Sequence, residues 1–194
     1  MLGTKGIPAT WGGVERHVEE ISTRLVKLGH EVTVYCRPNY TKTDEKFYEG
    51  VRLKKLPSIP SKHLDAITHT FLGTVHAIFR DYDVIHYHAV GPGTLARLGR
   101  LGGKKTVVTV HGPDWERDKW GRFGTIYLNF AKRASVTYPN RTIAVSKFLK
   151  GYLEDLYHRP VQYVPSGIAD PVRRPPNKIS AYGLGEKDFL LFVA

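Results

Sequence analysis

GTKGIPATWGGVERHVEEISTRLVKLGHEVTVYCR, Gly3 to Arg37, runs from a glycine-rich turn through a helix into a strand, and that order decides the fold. Val14, Val18, Ile21, Leu25 and Leu28 recur at steps of four, three, four and three. That spacing is one face of an amphipathic helix, with Glu15, Glu19, Arg24 and Lys27 elsewhere on the wheel. Acidic residues come early and Lys27 late, as the helix dipole prefers, and Gly29 stands where a C-terminal cap belongs. EVTVYCR (31–37) then reads as a short buried strand. In a doubly wound fold a central strand precedes such a turn. Only Met1 and Leu2 precede Gly3, so the first strand is expected to be missing or reduced to a stub.

The same unit recurs downstream. Strands are expected over Val51–Leu56, Asp83–His88 (DVIHYH), Thr106–His111 (TVVTVH), Thr142–Val145 and Val161–Val164. Helices are expected over His63–Arg80, with Leu64, Ile67, Phe71, Val75 and Ile78 as its apolar stripe, and over Thr94–Leu101, Thr125–Thr137 and Lys147–Tyr157. Ser146 is placed to cap the last of these. Strands alternating with helices imply parallel pairing through right-handed crossovers, hence a doubly wound, parallel, Rossmann-like α/β sheet. Pro171, Pro175 and Pro176 mark a linker. FLLFVA (189–194) begins another buried strand. The domain division is therefore 1–170 and 171–194.

The 194 residues carry 29 Lys+Arg against 18 Asp+Glu, a net charge of +11. Such a surface attracts phosphate, whether on a substrate, an anionic lipid or a nucleic acid. The basic residues are dispersed, however, and neither a zinc finger nor an RNP-type strand is present. One cysteine, Cys36, rules out an internal disulfide and a multi-cysteine zinc cage. Its apolar strand suits an inert buried thiol. With no apolar run of transmembrane length and no leader-like start, a cytoplasmic location is the default expectation.

In open α/β sheets ligands bind beyond the carboxyl ends of the strands. Gly12-Gly13, His86 and His88, His111-Gly112, Ser146 and Ser166-Gly167 all collect there. Glycines before a helix let a phosphate approach backbone N–H groups at the positive end of the dipole; they also make an ordinary tight loop. His111, between an apolar strand and a glycine, can hydrogen-bond a ligand or act as acid or base; it can equally bond a neighbouring carbonyl. His86 and His88 share a strand face and with His111 could make a three-histidine metal site, but no carboxylate accompanies them, and no metal is expected. Trp115, Trp120 and Phe123 among Asp114, Arg117, Lys119 and Arg122 form either a rim for carbohydrate or lipid phosphate, or a loop anchored by its tryptophans.

The opening Gly3–Arg37, followed in order by DVIHYH, TVVTVHGPDWERDKWG, TIAVSKFLKGYL and YVPSGI, closely resembles family-4 retaining glycosyltransferases of the GT-B fold, nearest the rhamnosyltransferase-like subgroup. The resemblance implies the amino-terminal, acceptor-side half of a two-domain enzyme that moves sugar from a nucleotide sugar to a saccharide or lipid-linked acceptor in surface-polysaccharide synthesis. By that resemblance Gly12, Gly13, Ser146, Ser166 and Gly167 line the donor diphosphate side of a cleft and His111 contacts the transferred sugar. Glu15, His88, Asp114, Trp115, Arg117, Lys119 and Trp120 belong to the acceptor side. No cofactor or metal is implied, and the chain by itself is expected to be inactive and poorly stable. Its basic surface suits peripheral contact with an anionic membrane. Two rivals remain: another Rossmann-type sugar-nucleotide enzyme, for which Gly3-Thr4-Lys5-Gly6 lacks the G-x-G-x-x-G spacing, and a basic nucleic-acid-binding module, which would need a contiguous basic stripe.

Overall fold

The computed structural model describes residues 1–10, 12–61, 64–116, 122–167 and 179–184. In chain order they form α1 (Gly13–Lys27), β1 (Thr33–Cys36), β2 (Phe47–Tyr48), β3 (Val51–Lys55), α2 (Asp65–Ile78), β4 (Val84–His88), α3 (Val90–Gly93), α4 (Ala96–Leu101), β5 (Lys105–Val110), α5 (Arg122–Thr137), β6 (Arg141–Ala144), α6 (Lys147–Tyr157) and β7 (Gln162–Tyr163). Short 3₁₀ turns occupy Asp114–Glu116 and Ile179–Tyr182. The expected linker over 171–178 and the strand over 189–194 lie outside the described residues.

Strands β4-β5-β6-β7 pair in that order and all in parallel, while β1 pairs in parallel with β3. The expected doubly wound α/β sheet is present, with one correction. β2, which the sequence reading passed over, pairs antiparallel with β3 and closes the edge. A two-residue strand carries too little alternation to be seen in sequence.

The amino-terminal stub joins the two groups of strands. Leu2 N–H donates to His86 O at 2.8 Å and His88 N–H to Leu2 O at 2.9 Å, while Tyr35 N–H reaches Met1 O at 3.1 Å. Arg37 N–H continues the seam to Lys5 O at 2.8 Å. Residues 1–5 therefore run between β1 and β4, the place of the central strand, and Leu2 is fully buried. From this stub the chain goes to β1 on one side and later to β4 on the other. The switch point of the topology lies at its carboxyl end.

Two apolar clusters flank the sheet. Ile7, Val18, Val34, Cys36, Val51 and Leu53 pack under α1. Leu2, Tyr35, Ile85, Tyr87, Val108, Val110, Ala144, Leu149 and Leu153 form the larger one, with α2 to α6 contributing. Along β4, β5 and β6 the residues Ile85, Tyr87, Thr106, Val108, Thr142 and Ala144 are buried, and the alternate set Val84, His86, Val107, Arg141 and Ile143 is partly exposed. The period of two places His86, His88 and Thr109 on that second face.

The apolar stripes of two helices do not face the core as their spacing predicts. In α1 the buried residues are Val18, Glu19, Ser22 and Thr23, and Leu28 stands exposed. Burial of polar groups is tolerated because each is bonded: Ser22 and Thr23 hydroxyls donate to Glu19 O, and the Glu19 carboxylate accepts from Ala9 N–H. In α2 the buried residues are Asp65, His69, Thr70, Gly73, Thr74 and Ala77, while Leu64 and Phe71 are exposed. Small residues let α2 lie close on the sheet: a Cβ on Gly73 would stand 2.3 Å from Leu2 Cδ2. Ile67, Phe71 and Leu72 are turned outward to line, with Ile59 and Leu95, an apolar cavity of about 540 Å³. Close approach outweighs hydrophobicity for the facing side, which a hydropathy pattern does not encode.

The helix expected over Thr94–Leu101 is α4, and a further helical turn, α3, precedes it. Ala89, at φ 74, turns the chain directly from β4 into α3, and α4 follows. Pro92 is accommodated because it sits in the first turn of α3, where a backbone N–H has no helical partner.

Candidate functional site

The carboxyl ends of β4 and β5 carry His88 and, one residue past the strand, His111. Their rings stack with centroids 5.4 Å apart and an interplanar angle of 27°. His88 Nδ1 and His111 Nε2 are hydrogen-bonded at 3.2 Å. His86, two residues before His88 on the same face, lies 4.2 Å from it between centroids, and its Nε2 bonds Thr109 Oγ1 at 2.7 Å. The fourth imidazole comes from α1. His17 meets His111 edge-on at 4.8 Å and 85°, and its Nδ1 bonds Ser166 Oγ at 3.3 Å. Segments at the ends of β4, β5 and β7 thus converge on the first turns of α1, at the switch point where this architecture holds its ligands.

Burial dominates the electrostatics of the cluster. It holds His111 down to about 4, with the neighbouring His17 adding to the effect. It holds His86 down to about 3, helped by the amino-terminal ammonium and by His111 and His17. His88, completely enclosed, is held well below the ordinary histidine value by burial and then by His86 and His111. His17 is lowered by burial alone. These rings are neutral at pH 7, so the cluster offers lone pairs and N–H donors rather than positive charge.

The turn before α1 is built around Gly12 at φ 93, a conformation that favours glycine. A Cβ there would stand 2.3 Å from Glu15 Oε2, and Glu15 Oε1 accepts Lys5 N–H at 3.1 Å. Glu15 therefore ties the loop together. Among the described residues no atom stands within 4 Å of a Cβ built on Gly13, the first residue of α1, and they leave the start of the helix open. Lys5, Thr10, Glu15, Tyr40 and Lys42 line a cavity of about 310 Å³ beside this turn.

The other expected site residues are distributed as follows. Ser146 follows β6 and caps α6, its Oγ accepting Leu149 N–H at 3.1 Å. Ser166 and Gly167 are exposed beyond β7. Asp114 and Trp115 lie in the 3₁₀ turn after β5. The Trp115 indole stacks on Tyr152 at 5.8 Å and 13°, with Lys132 Nζ 4.8 Å above its ring, and so anchors the loop to α5 and α6. Arg117, Lys119 and Trp120 lie outside the described residues. Cys36 is buried, and burial raises its thiol out of the reactive range.

The three-histidine grouping considered from sequence changes one member. Among the described residues, His17, His88 and His111 bring one ligand nitrogen each within 4.8 Å of one another, and His86 is not in that set. Sequence reasoning missed His17. The signal was available, since His17 precedes Val18 near the amino-terminal end of α1, the end that opens onto the carboxyl edge of the sheet.

The chain matches the model of Glycosyltransferase Family 4 over residues 11–170. No curated protein matches it. The match spans most of the chain, from the turn before α1 to just past Ser166-Gly167, and includes every residue of the histidine cluster. The Rossmann-like sheet and this match agree: the chain belongs to Glycosyltransferase Family 4.

Proposed function

We propose that this chain is the acceptor-side, amino-terminal domain of a GT-B transferase that moves a sugar, with retention of configuration, from a nucleotide sugar to a saccharide or lipid-linked acceptor. The convergence of His111, His88 and His17 beside the open start of α1 carries the reading. It puts neutral hydrogen-bond donors next to free helix amides, which suits a sugar attached to a diphosphate. Gly12 and Gly13 approach the diphosphate, His111 contacts the transferred sugar, and Ser146, Ser166 and Gly167 complete the cleft edge. Glu15 and His88 support that edge, and Asp114, Arg117, Lys119 and Trp120 shape the acceptor side. Trp115 acts as the anchor of their loop. The division at residue 170, with 171–194 leading to a donor-binding half, belongs to this proposal, as does the rhamnosyltransferase-like subgroup that the opening GIP and GG-V-E residues resemble. Neither cofactor nor metal takes part.

No helix among the described residues is long and apolar enough to cross a membrane. A cytoplasmic enzyme in peripheral contact with an anionic membrane face is the setting we propose; the net charge of +11 and the exposed Phe71, Ile126 and Phe130 support it.

The test is His111→Ala in a version that includes the donor-binding half. Turnover falls about a hundredfold or more while the fold is unchanged. Wild-type kinetics in that variant reduce His111 to a strand-end histidine and remove the reading.

A further inference from the structure

Each neutral imidazole carries one proton and one free lone pair. His88 Nδ1 and His111 Nε2 face each other at 3.2 Å, so one of the two nitrogens holds the proton between them. The remaining nitrogen of His88, Nε2, is buried and has no hydrogen-bond partner among the described residues, and His88 itself is completely enclosed. These facts separate the two arrangements. If His111 Nε2 is the donor, His88 must carry its own proton on Nε2, which buries an N–H with nothing to accept it. If His88 Nδ1 is the donor, the orphaned Nε2 is a bare lone pair. Buried unpaired N–H groups are rarer in folded proteins than under-used acceptors, so the second arrangement is the stable one.

We infer that His88 donates its Nδ1–H to His111 Nε2 and thereby fixes His111 in the tautomer protonated on Nδ1, which makes His88 a positioning residue. His111 Nε2 is then occupied, and Nδ1–H is the one polar group His111 can offer a ligand. It is a donor. His111 therefore gives a bound oxygen a hydrogen bond and cannot take a proton from it. Burial keeps both rings singly protonated at neutral pH, so a doubly protonated His111 does not compete. The same orphaned atom argues against a metal held through His88 Nδ1. Such coordination would place the His88 proton on Nε2, and ligating histidines normally have an acceptor for that proton. The use of this donor toward a sugar oxygen rests on the proposed function; the tautomer itself does not.

The experiment is long-range proton–nitrogen correlation NMR on the 194-residue chain labelled with ¹⁵N-histidine. The expected spectrum shows a protonated, pyrrole-type Nδ1 and a bare, pyridine-type Nε2 for both His111 and His88. His88→Asn keeps an amide donor where Nδ1 stood and retains the His111 pattern. His88→Phe removes the donor and moves the His111 proton to Nε2. A His111 protonated on Nε2 in the unaltered chain overturns the inference, and so does an unchanged His111 pattern in His88→Phe. Stoichiometric uptake of added Zn²⁺ with displacement of the His17, His88 and His111 signals overturns it in favour of a metal centre. Should His88→Phe not fold, the unaltered chain and His88→Asn decide the matter by themselves. In the transferase, kcat falls about tenfold or more in His88→Phe, with KM for the donor little changed, and recovers in His88→Asn. If the tautomer switches as expected but kcat does not move, the sugar contact proposed for His111 fails and the tautomer assignment stands.

Discussion

Gly12 and Gly13 are adjacent and alike in sequence, yet the structure predicts opposite outcomes when each is changed to alanine. Gly12 sits at φ 93, and a Cβ would stand 2.3 Å from Glu15 Oε2. The backbone strain costs about 1–3 kcal/mol. Moving the Glu15 carboxylate also loosens its bond to Lys5 N–H, a charge-assisted bond worth about 1.5–3 kcal/mol. Together these are a large part of the ~5–15 kcal/mol that stabilises a typical domain. For a chain of this length each kcal/mol moves Tm by about 2–4 °C, so Gly12→Ala lowers Tm by roughly 5–24 °C. Gly13 has ordinary φ and, among the described residues, no atom within 4 Å of a built Cβ. Alanine there is free of strain, and the gain in helix propensity is at most about 1 kcal/mol, so Tm is unchanged or rises by up to ~4 °C. If the open space belongs to the donor diphosphate, the added methyl lowers transfer by about tenfold or more in the version that includes the donor-binding half. The assay is a thermal melt and a steady-state transfer rate for each variant. Full activity in a normally folded Gly13→Ala refutes the phosphate approach at this turn. A Gly12→Ala that melts like the unaltered chain refutes the account of the turn itself.

His111→Ala is expected to lose turnover by about a hundredfold while still melting cooperatively, with Tm a few degrees lower because the buried His88 loses its partner. Acid is expected to weaken the fold. His86 and His111 titrate near 3 and 4 when folded, against an unfolded value of about 6.5, so between about pH 6.5 and 4 the unfolded chain binds more protons. Stability is then full above that window and falls as pH drops through it; a denaturant midpoint that is flat from pH 7 to pH 4.5 contradicts the burial of these rings. Chelator treatment is expected to leave transfer intact, and zinc that copurifies stoichiometrically and is lost on mutating His88 reverses that expectation.

The alternation of apolar strands and helices is legible in the sequence. β1, β3 to β6 and helices α1, α2, α5 and α6 lie within a few residues of where periodicity puts them, and Ser146 caps α6 as its position before Lys147 suggested. These are local matters: a strand run, a helical repeat or a capping hydroxyl is stated by neighbours in the chain. The convergence of glycine, histidine and serine on one sheet edge was legible for a related reason. Parallel strands joined by helices must point their carboxyl ends the same way.

What only the tertiary structure decided involves partners distant in sequence. Whether Met1–Lys5 completes the sheet depends on Tyr35, Arg37, His86 and His88, whose backbone groups take up both sides of that segment. Which side of α1 and α2 faces inward depended on how closely each helix can approach the sheet, so Gly73 and Thr74 face inward and Phe71 faces out. His17 joined the site, and the role of donor between His88 and His111 could be assigned, because both depend on distances between rings and on one buried nitrogen. Hydropathy and spacing describe each residue's surroundings along the chain. Proton placement, close packing and ring contact are set by atoms that the chain brings together only when folded.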